Sequence, residues 1–474
     1  MPFARILRSS ALMGGAQAVT LAMAFLRSKL IAVLIGPSGI GLMGVFSTFN
    51  GNVATIAGWG LATSAVRVVA GAGNAERAAK AAAVRRFGLK LAWGGFFGVL
   101  VLVLPVGQLT FESQKYALEL FLAGLAVPCI IATTMWSSLL QADGHISSLA
   151  RTQMISSVAG LMIGLPFIYF FGSVGIALSI LLAALVAAYV TWRTAARLSP
   201  PSTDEADQAA MRELLHLGLI LQIGSVLGAV STYLVRVLIL RSHGDDLAAG
   251  LADAGYYQAA FAITGSLPGV IFGVTNSDFY PRVAAAKDEA EARIITEKQV
   301  QASLLLALPF LTALLALGPW AVRFLYAQGF EPAVPLLDWF TWSIFCNLLG
   351  WPLGFWVMAR RSKRAIALFQ GLLSVAMFLL AAWLVPRWGV KGAAIAFFGA
   401  AVIYTLILLA MVRWISGAWF SAKTSLWAAL GAGVMLTATK VSMTKWGLLL
   451  LLAVSTCCVF IYLRAMRLSA EDEP

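Results

Sequence analysis

Apolar residues run in unbroken stretches from one end of this chain to the other. Val174 to Val190, VGIALSILLAALVAAYV, shows the pattern: continuous apolar character with no alternation of inside and outside positions. Continuity over such a length predicts a membrane-crossing helix, because a barrel strand would alternate with period two. About 20 apolar residues span a bilayer, and only helices or closed barrels can do so. Read this way, the chain is an all-α polytopic membrane protein with about 14 transmembrane helices. The first six lie near 10–35, 42–70, 87–108, 117–140, 149–171 and 175–192. The next six lie near 214–240, 255–281, 300–318, 336–358, 365–385 and 393–412, and a final pair near 424–443 and 447–463.

The sixth and seventh spans are separated by a polar stretch from Arg193 to Glu213 that contains Pro200-Pro201 and mixed charges. Such composition marks a linker. The expected organisation is therefore an N-terminal six-helix lobe over 1–198, a cytoplasmic linker over 199–213 and a C-terminal six-helix lobe over 214–413. Residues 414–474 form a peripheral helix pair and tail. The lobes are related by a weak internal repeat with an offset of 217 residues (172 to 389). Gly172 corresponds to Gly389, Gly175 to Gly392, Gln153 to Gln370, Ser157 to Ser374 and Cys129 to Cys346. An even number of spans separates the copies, which fits a parallel repeat, and transporters so built bind substrate between the lobes and rock them alternately open. The final helix pair has no counterpart.

Composition sharpens this. The chain is 60% hydrophobic and 12% charged, with a mean hydropathy of +0.86, far from a soluble domain. Its net charge of +13 could suggest nucleic acid, but placement argues against that partner. Arg77, Lys80, Arg85, Arg86 and Lys90, then Arg193, Arg197 and Arg212, then Arg360, Arg361, Lys363 and Arg364 fall in loops on one side of the span pattern. The opposite loops carry chiefly Lys115, Arg323, Arg387, Lys391 and Lys445. The positive-inside rule puts the N-terminus in the cytoplasm, and the even number of spans returns the C-terminus there. Cys129, Cys346, Cys457 and Cys458 lie in apolar segments without metal-ligand spacing, so no metal site is expected. His145, His216 and His243 fall in or near loops, which argues against a histidine proton relay.

Ionisable groups inside the spans are the candidates for function, because each is costly to place there. Arg27 closes a stripe at helical spacing, Gln17, Thr20, Ala24 and Arg27, and is the leading candidate for an anion site. Lys29 stands about 200° around the helix from it, among Ala22, Phe25 and Leu26, and either binds substrate or snorkels to headgroups. Arg67 ends a second stripe, Gly60, Thr63, Ser64 and Arg67, near the cytoplasmic end of its span. Arg236, in the seventh span, completes the candidate substrate-binding set, with Arg241 beyond it at the interface. Arginine suits phosphate, since its planar fork donates two parallel hydrogen bonds. Asp278 is an acid within the eighth span, either a gating or coupling group or a partner of Arg282 one turn on. Pro268 frees a carbonyl in the same span.

No phosphate-binding loop, histidine–metal cluster or nucleophile–base set stands out, so the chain reads as neither an enzyme nor an ATPase and calls for no cofactor. At Ser28 to Phe49, SKLIAVLIGPSGIGLMGVFSTF, it resembles the bacterial oligosaccharide-lipid flippases, or O-antigen translocases, of the multidrug/oligosaccharidyl-lipid/polysaccharide exporter superfamily. Ala254 to Thr264 and Ser277 to Val283 resemble further family segments. Many members carry an acid after an Ile-Ser pair in the eighth helix, where this chain has Ile263-Thr264-Gly265. The resemblance implies export of undecaprenyl-diphosphate-linked oligosaccharide, with membrane lipids and a polysaccharide polymerase as further candidate partners. A multidrug exporter of the same superfamily would favour buried acids instead of cations, and a non-transporting scaffold would need neither stripe.

Overall fold

A computed structural model describes residues 2–198, 208–360, 363–416, 420–441, 449 and 451–458. Helices follow one another with short connections: α1 (Pro2–Leu34), α2 (Pro37–Gly58), α3 (Leu61–Ala70), α4 (Asn74–Phe111), α5 (Ala117–Gly124), α6 (Ala126–Ala142) and α7 (Ile146–Leu198). After the linker come α8 (Gln208–Arg241), α9 (Leu247–Ala285), α10 (Glu289–Leu325), α11 (Val334–Arg360), α12 (Lys363–Trp388), α13 (Val390–Ser416) and α14 (Ala422–Lys440). Ten helices among the described residues are long and apolar enough to cross a membrane. The protein is a multi-pass membrane protein.

The 53 residues of α7 hold both the fifth and sixth expected spans. Straight, it would be about 80 Å long, more than twice a hydrocarbon core. Instead the chain reverses at Gly172, whose φ of 53° and ψ of −120° are not helical. The arms then pack antiparallel through small residues: Gly160 faces Ala183 and Gly164 faces Ser179. Close backbone approach through small side chains is how membrane helices gain contact without a hydrophobic drive between them.

The repeat is visible in the backbone. Gly389, joining α12 to α13, is left-handed at φ 56°, matching Gly172 at 53°. A Cβ on Gly175 would lie 1.9 Å from the Phe167 carbonyl oxygen, and one on Gly392 would lie 2.4 Å from that of Leu384. Phe167 and Leu384 are themselves 217 residues apart, so each hairpin closes on the same atom of the same position. The offset also pairs Glu112 with Gly329, both with positive φ, at the ends of α4 and of the turn after α10.

By backbone contact the chain forms two compact units, Met1–Gly255 and Tyr256–Pro474. In the first, α1 packs on α7, α6 on α4 and α7, and α8 on α2, α3 and α4. In the second, Val300, Leu304, Leu308 and Leu311 form one face of α10 and meet Phe345 and Leu348 of α11 and Met435 and Ala438 of α14. A second core joins Leu353, Trp356 and Val357 of α11 to Leu408 and Val412 of α13 and to Phe279 and Val283 of α9. Docking of α14 on α10 is also polar. The buried carboxylate of Glu297 accepts from the Ser421 backbone N–H at 3.1 Å, from the Thr424 hydroxyl at 2.9 Å and from Arg293 Nε at 3.0 Å. Ser421 is also the N-cap of α14, so one acid from α10 organises the start of another helix.

Candidate functional site

The polar stripe on α1 is accessible along most of its length. Gln17 and Ala24 are exposed, Thr20 is half-buried with its hydroxyl spent on the Ala16 carbonyl at 2.9 Å, and Arg27 is half-buried. One turn on, Ile31 is fully buried. Arg27 therefore stands half-buried where the open face of α1 passes under cover, partly stripped of competing solvent. Lys29 lies on a different, apolar face, between exposed Leu26 and Val33. Arg27 and Lys29 thus do not converge.

The second span is broken where the sequence pattern runs continuously from 42 to 70. Trp59 and Gly60 are both left-handed, at φ 46° and 64°, which ends α2 and starts the short α3. The cause is a close crossing with α8: a Cβ on Gly218 would fall 2.1 Å from the Trp59 carbonyl oxygen, and one on Gly60 would fall 3.0 Å from the Gly218 Cα. The Trp59 indole N–H donates to the Leu215 carbonyl at 3.1 Å, and further along the same seam Asn52 Nδ2 donates to the Ala229 carbonyl at 2.8 Å. Gln222 Nε2 donates to the Thr55 carbonyl. Arg67 consequently belongs to α3, where it is exposed in the last turn beside carbonyls that favour a cation. Ser64 faces inward and donates to the Gly60 carbonyl at 3.0 Å, while Thr63 stays exposed with Arg67. Because α1 packs chiefly on α7 and α2, and α3 on α6, α8 and α4, helix packing does not set Arg27 and Arg67 side by side.

Arg236 behaves differently from both. It is 3% exposed, so in this conformation its guanidinium is closed to a ligand. Tyr233, one turn before it, shares a 2.7 Å hydrogen bond with Thr110 of α4. Beyond it Arg241 pairs with Glu112 at 3.3 Å and lines, with Glu112, Ser113 and Asp245, a cleft of about 220 Å³. Nearby Asp253 sits 3.7 Å from His243, and burial pushes its carboxyl above the usual carboxylate range, with His243 opposing the shift. Asp278 lies on α9, its side chain outside the described residues.

Sequence reasoning passed over two polar features. The Asn52, Trp59 and Gln222 seam was signalled only by polar residues in FNGNVATIAGW, whose partners lie more than 150 residues away. The Glu297 cluster was hidden in a charged stretch, EAEARIITEKQ, that reads as solvated helix.

The polysaccharide biosynthesis protein family matches residues 6–287. No curated protein matches the chain. Among solved structures, the lipid II flippase MurJ in an inward closed conformation superposes with a TM-score of 0.68 at 14% identity, covering 96% of this chain and 99% of that one. An inward-facing multidrug resistance MATE family transporter of the MOP superfamily gives 0.63 at 17% identity, covering 84% and 96%. A MOP superfamily transporter from Pyrococcus furiosus gives 0.51 at 15% identity, covering 86% and 95%. At such identities the likeness is one of fold.

Proposed function

This chain belongs to the polysaccharide biosynthesis protein family, and from that premise we propose that it is a flippase moving undecaprenyl-diphosphate-linked oligosaccharide from the cytoplasmic to the periplasmic leaflet of a bacterial inner membrane. Both termini are cytoplasmic in this reading, and transport proceeds by alternating access. The observation that carries it is Arg27: a half-buried arginine closing an accessible polar stripe in a helix long and apolar enough to cross a membrane. A diphosphate offers acceptor oxygens only, and a guanidinium in a partly desolvated setting answers it with charge-assisted, forked hydrogen bonds. Arg67, exposed on α3 and not beside Arg27 in this conformation, supplies a cation for the head group at another stage of the cycle. Arg236 joins only if the packing of α8 on α4 loosens during the cycle.

Transport needs no nucleotide in this account. A head group of about −2 charge moving outward runs down a negative-inside potential worth about 2.3 kcal/mol per charge at roughly 100 mV. Flipping of defined lipid-linked glycans in proteoliposomes tests both points. Collapse of the potential, with pH and sodium equal across the membrane, should slow outward flipping. Transport of a lipophilic cation in place of the lipid-linked glycan would support the drug-exporter alternative.

A further inference from the structure

The C-terminal end of α7 carries a groove that the transport reading does not use. Tyr189, Arg193 and Arg197 form one row at four-residue spacing, and Val190, Thr194 and Leu198 the row beside it. Together they line a cleft of about 300 Å³. Arg193 Nη1 donates to the Tyr189 hydroxyl oxygen at 2.7 Å, which steers the guanidinium along the groove and leaves the phenolic proton to donate elsewhere. Thr194 donates to the Val190 carbonyl at 2.9 Å. Neither arginine is ion-paired with a described residue. The groove thus presents a phenolic proton and two guanidinium forks, and among the described residues no carboxylate lines it. That set suits a ligand that only accepts hydrogen bonds and carries negative charge.

Its position says where such a ligand comes from. Tyr189 is 52% and Trp192 48% exposed, with ring centroids 6.0 Å apart. Amphipathic rings of this kind settle at the headgroup level, beneath which the exposed face of α7 is apolar through Leu185. The charge pattern of the loops puts this end on the cytoplasmic side, the leaflet where basic clusters beside a span attract anionic lipid. We infer that the Tyr189–Arg193–Arg197 groove is a binding site for the phosphodiester headgroup of an anionic phospholipid, its acyl chains lying along the apolar face of α7.

The test is native mass spectrometry of the full-length protein in detergent, titrated with phosphatidylglycerol or phosphatidylcholine. The native chain should retain phosphatidylglycerol in preference, and R193Q/R197Q should lower that preference about tenfold. R85Q/R86Q removes the same charge from α4 and should leave it unchanged. Equal losses in the two double variants would mean diffuse attraction and overturn the site. Tyr189→Phe keeps every charge but loses the steering bond, and should weaken retention by a smaller factor. It keeps the inference testable should the double variant fail to fold, since unaltered retention in Tyr189→Phe would overturn the geometry argued here. Inorganic phosphate in millimolar excess should not displace the lipid. Displacement would assign the groove to a free anion instead.

Discussion

The two helical hairpins, α7 in the first unit and α12–α13 in the second, share a backbone and differ almost everywhere else. Each reverses on a left-handed glycine and closes with a second glycine against a carbonyl eight residues back. Around that device the side chains have diverged. Gly160 and Ala183, which meet in the first hairpin, correspond to Met377 and Ala400 in the second, where both line a cleft of about 120 Å³ with Asn347, Ser374 and Phe397. At the tips, exposed Phe170 corresponds to Arg387, which lies 4.7 Å from the Trp383 ring centroid. What has persisted is the part with one steric solution. Surfaces with many solutions have drifted.

The strongest way to break the comparison is to fill the carbonyl contacts. Gly175→Val and Gly392→Val each place atoms where a carbonyl oxygen already sits, and each should cost about 4 kcal/mol or more. In detergent, both proteins should lose their monodisperse peak on size exclusion. If only one does, the hairpins do not share a closure. Next in size is Gly160→Met, which gives the first hairpin the residue of the second. Overpacking there should cost about 1–3 kcal/mol, read as a lower thermal midpoint, whereas Met377→Leu in the roomier second hairpin should stay under about 1.5 kcal/mol. Gly172→Ala and Gly389→Ala should each cost about 1–3 kcal/mol, because a positive φ strains a residue that carries a Cβ. The smallest effect is expected at the tips, where Arg387→Gln should cost no more than about 1 kcal/mol.

The same contrast explains what could be read from sequence. The hairpins were legible because a left-handed turn and a carbonyl contact both demand glycine, which leaves Gly172, Gly175, Gly389 and Gly392 as marks at one offset. Arg27 was legible because helical spacing alone sets it on a stripe with Gln17 and Thr20. The break at Trp59–Gly60 was not, since its cause, Gly218, lies across another helix. Nor was the closure of Arg236, because its burial comes from the packing of other helices on α8. Glu297 escaped for the same reason: its partners Ser421 and Thr424 are more than 120 residues distant.

Phosphate recognition by Arg27 is tested most directly by the initial rate of outward flipping of an undecaprenyl-diphosphate glycan in proteoliposomes, comparing the native chain with Arg27→Ala and Arg27→Lys at matched protein incorporation and thermal midpoint. A charge-assisted contact to the diphosphate is worth about 1.5–3 kcal/mol. Arg27→Ala should therefore lose at least about tenfold in rate, and Arg27→Lys, which keeps the charge without the fork, should fall between the two. Native rates in both variants would contradict the account and place phosphate recognition away from α1.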